Sequence, residues 1–140
     1  MEQQPSTGIA QLRANRMMSH LLDALERGDD IGHYGRLVFA MVARHFLAPP
    51  DLVTWLMKDA SFDEARAMAL VDQVTERAYS PPTRQRIAQW QTQQSFPICP
   101  HIEDPDEANV YRDLAFPQEV YDRIEEYHEE RAEAHARDRW

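Results

Sequence analysis

Two groups of side chains in this sequence have the types and spacing to hold a polyanion. His33 and Arg36 precede, and Arg44 with His45 interrupts, a strongly apolar run from Leu37 to Leu47. At about 100° per residue His33, Arg36 and Arg44 fall at about 0°, 300° and 20° around a helix, one narrow stripe. Arginine forks and a histidine suit phosphate oxygens, which makes the stripe a candidate anion or nucleic-acid contact. The same stripe also fits the solvent side of a helix on which each arginine pairs with a nearby Asp. The second group, Tyr79, Arg84, Arg86, Trp90 and Gln91, surrounds a Tyr-Ser-Pro-Pro turn. Aromatics interleaved with arginines stack bases and neutralise phosphates of single strands. The plainer alternative puts the rings in the core and the arginines on the surface.

Other reactive types are arranged less productively. Cys99 and His101 lie two residues apart, but no second or third ligand accompanies them, and a structural cysteine is the simpler reading. His128 and His135 share a helical face with Arg131 between them, a cation that cannot be a ligand. The carboxylates Asp104, Asp106, Glu107, Glu125 and Glu126 read as solvated surface, although acid/base or magnesium chemistry uses the same groups. A lone cysteine in 140 residues forms no internal disulfide and cannot by itself hold an iron–sulfur cluster. The expectation is therefore a non-enzymatic protein with no catalytic residues, metal or cofactor.

The elements that must position these groups are helical. Four glycines and repeated i, i+3, i+4 apolar spacing predict an all-α bundle of about five to six helices, with no alternating strand pattern. Residues 1–8 read as a disordered lead. A first helix carries the stripe Ile9, Leu12, Met17, Leu21 and Leu25 and ends at Gly28, a helix C′ residue. Asp29 or Asp30 caps a second helix, apolar nearly all round, which runs to about Leu47 before Pro49-Pro50 stops it. A short third helix spans about 51–59. Ser61-Phe62-Asp63-Glu64 has the spacing of a capping box for a fourth helix through Ala78. Ser80-Pro81 opens a fifth, over 83–94, with Ile87 and Trp90 facing inward. An irregular loop over 100–116, with a turn of helix at 108–114, precedes a final Glu-rich helix from Pro117.

Net charge divides unevenly. The −9 of the whole chain comprises 10 basic and 11 acidic residues up to Pro100, and 5 basic and 13 acidic after it. An all-over polyanion-binding surface is excluded, because Lys and Arg supply non-specific affinity, but a local basic patch in the first hundred residues is not. No strongly apolar run approaches the ~20 residues that span a bilayer. The start shows no secretory signal, and a reducing, cytoplasmic setting is expected.

Read in order, Gly28-Asp29-Asp30-Ile31-Gly32-His33-Tyr34-Gly35-Arg36-Leu37-Val38-Phe39-Ala40, Asp51-Leu52-Val53, Phe62-Asp63-Glu64, Tyr79-Ser80-Pro81-Pro82 and Ile98-Cys99-Pro100 resemble the C-terminal domain of the large subunit of archaeal and eukaryotic DNA primase. The match in order and rough spacing covers about residues 15–100. The resemblance implies a helical accessory domain, over residues 9–100, that helps a catalytic primase or primase-polymerase subunit hold single-stranded or primed DNA or RNA in DNA replication. It implies phosphate contacts for His33 and Arg36, and it aligns Tyr79 with the tyrosine before the family's proline turn and Cys99 with a Cys-Pro position. The family holds a four-iron cluster through four cysteines, whereas this chain has Met17/Met18 and Thr83/Arg84 at two of those places, so no such cluster forms within one chain. Residues 101–140, an acidic loop and helix packed on the domain or extended from it, lie outside the resemblance. The alternative expectation is a helical protein-protein interaction module whose acidic C-terminal helix docks a basic partner or mimics nucleic acid.

Overall fold

The computed structural model describes residues 5–104 and 107–124. Among them the chain is all-helical: α1 Pro5–Leu12, α2 Arg16–Glu26, α3 Gly32–Ala43, α4 Pro49–Leu56, α5 Glu64–Glu76, α6 Arg84–Gln91 and α7 Val110–Asp113. An eighth helix, α8, begins at residue 118 and continues to 124, the last described residue. α3 is the central element and packs against α2, α4, α5 and α6. Its residues Gly35 and Val38 to Ala43 are buried, as its nearly continuous apolar sequence requires. Phe39, Met17, Met18, Leu21, Leu22 and Leu25 are among the largest fully buried side chains. No helix among the described residues is long and apolar enough to cross a membrane.

Several local expectations are corrected. Residues 5–8, read from sequence as part of a disordered lead, belong to α1. There Gly8 lies so close to the chain after α3 that an added Cβ would come within 2.2 Å of the Phe46 carbonyl oxygen. The first helix is two helices, because Asn15 breaks it. Fully buried, Asn15 caps α2 by accepting from Met18 N (3.0 Å). Its amide nitrogen donates to Glu107 O (3.3 Å) and to Asp113 Oδ2 (3.0 Å), which ties α2 to α7. Pro49 and Pro50 do not merely stop the preceding helix. They begin α4, where a missing N–H costs nothing. The cap of α5 is Asp63 rather than Ser61, and that of α6 is Thr83 rather than Ser80.

Two helix ends position the region of interest. α3 lacks a side-chain cap from its own N-cap residue, Ile31. Gln94, predicted inside the fifth helix, lies beyond the end of α6 and performs that role from a distance. Its Oε1 accepts from Tyr34 N (2.8 Å), while its Nε2 donates to Ile31 O (2.9 Å) and Phe96 O (3.0 Å). The C-terminus of α5 closes with Tyr79 N donating to Val74 O and Ala78 N to Thr75 O, the Schellman pattern, with Ala78 at φ +49° where glycine is usual. That reversal delivers Tyr79 and the proline turn onto the flank of α3. Beyond Pro100, Ala108, Val110, Leu114, Phe116 and Val120 are buried in the same core as α2 and α3.

Candidate nucleic-acid interface

His33, Leu37, Met41 and Arg44 follow one another along a single face of α3, at about 0°, 40°, 80° and 20°. Leu37 and Met41 form one wall of a cleft of about 410 Å³, and the proline turn with Tyr79 and Pro82 forms another. Arg86 and Trp90, on successive turns of α6, complete it. Tyr79 leaves α5 through the reversal at Ala78, which carries the chain into the proline turn beside α3. The Tyr111 hydroxyl donates to the Pro81 carbonyl and anchors the turn to α7. Burial pushes the Tyr111 phenol up to about 12, so this anchor remains protonated over the working pH range.

A ladder of rings extends the cleft toward the start of α3. Tyr34 and Trp90 stack with centroids 5.5 Å apart. His33 meets Tyr34 edge-on at 5.0 Å, and the Arg86 guanidinium lies 5.8 Å from the Trp90 ring. His33 and Arg86 are thereby joined through two rings, with both of their polar ends exposed. No carboxylate lines the cleft among the described residues. At the far side of the Tyr79-Ser80 turn, Arg44 donates to Tyr79 O (3.1 Å) and Arg123 to Ala78 O (2.7 Å). Arg86 borders the apolar cleft, and two further cations lie behind its Tyr79-Ser80 wall, an arrangement chemically suited to a flat apolar group carried on an anionic chain.

Of the six residues singled out by sequence, Tyr79 and Arg86 line the cleft, His33 is joined to it through the Tyr34 ring, and Arg44 lies behind the Tyr79 carbonyl. The structure withdraws two. Arg36, on the other flank of α3, is only 13% exposed and bridges Asp59 (3.0 Å) and Asp30 (3.2 Å). Its guanidinium also lies over the Phe62 ring at 4.5 Å. The phosphate contact implied for Arg36 by the primase resemblance is met here by an internal carboxylate. Arg84 donates to the Ile102 carbonyl and fixes the chain after Cys99. Conversely, Tyr34, Ser80 and Arg123 belong to the face without having been singled out. Tyr34 was legible as the aromatic neighbour of His33, but nothing local in the sequence connects Arg123 to Ala78.

The remaining candidates stay apart. Cys99 is buried, and desolvation pushes its thiol up to about 11, a poor nucleophile and a structural group. His101 is exposed and faces Glu103 at 3.8 Å. Glu107 is buried and paired with Arg16 at 2.7 Å. No three His, Cys, Asp or Glu side chains gather as a metal site among the described residues. His128, His135, Asp106, Glu125 and Glu126 lie outside the described residues. Comparison of the chain with family models, curated proteins and solved structures finds no match.

Proposed function

We propose that this protein is a non-catalytic helical module that binds single-stranded or primed nucleic acid across the cleft between α3, α6 and the proline turn. A base lies against Leu37, Met41 and the Trp90 edge while neighbouring phosphates meet Arg86 on one side and Arg44 on the other. The observation that carries this reading is the convergence of Tyr79, Arg86 and Trp90 on one apolar cleft that no carboxylate lines among the described residues. The resemblance to the primase large-subunit domain supports the same class of ligand and adds a role, assistance to a separate primase or primase-polymerase subunit.

Fluorescence anisotropy with single-stranded DNA, and with a primed template bearing a 5′ triphosphate, tests the reading across a salt series. Binding that weakens steeply with salt is expected, and absence of binding below ~100 μM at roughly 50 mM salt rejects it.

One observation favours the second reading, in which the acidic C-terminal segment imitates nucleic acid. Glu119, in the first turn of α8, lines the same small cavity as Arg44 and Arg123. Under that reading, removal of residues 117–140 from a chain that still folds increases nucleic-acid binding.

A further inference from the structure

Beyond the apolar cleft, on the other side of Ser80, lies a separate cavity of about 70 Å³ lined by Arg44, Ala78, Ser80, Glu119, Val120 and Arg123. Its two arginines come from elements far apart in sequence, the C-cap of α3 and the surface of α8. Each is held by one neutral acceptor at the end of α5: Arg44 Nη2 donates to Tyr79 O (3.1 Å) and Arg123 Nη1 to Ala78 O (2.7 Å). Neither lies within ion-pair distance of a carboxylate among the described residues. Arg44 Nε is buried with no hydrogen-bond partner among the described residues. Burial first, and then the positive charge of Arg123, weaken the hold of Arg44 on its proton, while Glu119 acts in the opposite sense.

Helix-end carbonyls explain why arginines sit here, since partial negative charge collects at a helix C-terminus. They do not explain why two guanidinium groups are brought to one small cavity with a donor left over. Two like charges in a partly desolvated site repel, and a shared anion removes that repulsion. Two arginines and Ser80 line the cavity from three elements, opposite the acidic Glu119, and together they leave an excess of positive charge and donors that suits an oxyanion.

The geometry points to the Arg44–Arg123–Ser80 cavity as a phosphate-binding site. As a site for a phosphate group it stands alone. The statement that this group belongs to the nucleic-acid strand crossing the cleft rests on the function proposed above.

NMR of the arginine Nε–H groups in the full chain, titrated with inorganic phosphate against chloride at constant ionic strength, reads the site directly. Saturable shifts at Arg44 and Arg123 are expected, nearly complete at roughly 10 mM for a site of about 1 mM affinity. Arg123→Gln, an exposed position that leaves the core untouched, should abolish the Arg44 shift. No saturable shift at either arginine, or an undiminished Arg44 shift in Arg123→Gln, overturns the site. A parallel titration with single-stranded DNA separates the two proposals. Phosphate shifts without DNA binding uphold the site and reject the nucleic-acid reading. DNA binding without phosphate shifts, equally strong in Arg123→Gln, upholds that reading and rejects the site.

Discussion

The guanidinium of Arg36 lies 3.0 Å from the carboxylate of Asp59, a side chain with no exposed surface, and so joins the first turns of α3 to the chain before α5. Asp59 also accepts from the backbone N–H groups of Ile31 (3.0 Å) and Ser61 (2.7 Å). Removing only the cation leaves a buried charge with weaker compensation, a change that typically costs ~3–5 kcal/mol. Arg36→Met should therefore lower the denaturation midpoint sharply. The fraction still folded should bind nucleic acid as the parent protein does, because Arg36 is turned away from the cleft. Chemical denaturation and anisotropy on the same preparation check both halves.

Gln94 and Gly32 form a second coupled pair. Loss of the Gln94 amide strips the cap from α3 and is expected to cost about 2 kcal/mol. An alanine at Gly32, where φ is +80°, places its Cβ 2.5 Å from Gln94 Oε1 and expels the same amide. Gly32→Ala and Gln94→Ala should therefore be strongly sub-additive in a double-mutant cycle, and additive costs would show that the cap is not what Gly32 protects.

His45 gives the fold a pH dependence of definite sign. Its ring meets Phe116 edge-on at 5.4 Å, and burial, followed by the charge of Arg44, lowers its pKa from 6.5 to about 4. Between those two values the unfolded chain binds a proton that the folded one refuses, so stability falls as pH drops from about 6.5 to about 4. The full shift corresponds to about 3 kcal/mol, and its partial solvent contact reduces this to roughly 1–2 kcal/mol. His45→Gln should flatten the stability profile in that window, as measured by the difference between the two denaturation curves.

These relationships also mark how far the sequence could be read. Helical periodicity carried the fold class and the central place of α3, because burial of an apolar helix is written in its own residues. The α5 end at Ala78 and the α2 end at Gly28 lie close to where the pattern put them. What was not legible depends on partners distant in the chain. Asn15 ends a helix that its neighbours would continue, because its amide reaches Glu107 and Asp113. Gln94 reads as one more polar helix residue until α3 is folded beside it. For the site, periodicity placed His33 and Arg44 on one stripe, but it could not separate them from Arg36, since an offset of about 60° decides between the cleft and Asp59. The contribution of Arg123 lies in a segment whose acidic composition pointed away from anion binding.

The central claim is that the cleft lined by Tyr79, Arg86 and Trp90 receives a nucleic-acid strand. It is tested most directly by anisotropy with single-stranded DNA over a salt series, comparing the parent chain with Arg86→Glu and with Arg66→Glu, an equal charge change at an exposed position on α5. Arg86→Glu should weaken binding about tenfold more than Arg66→Glu, a difference of about 1.4 kcal/mol. Equal losses in the two variants, or a parent chain that does not bind below ~100 μM at roughly 50 mM salt, would contradict it.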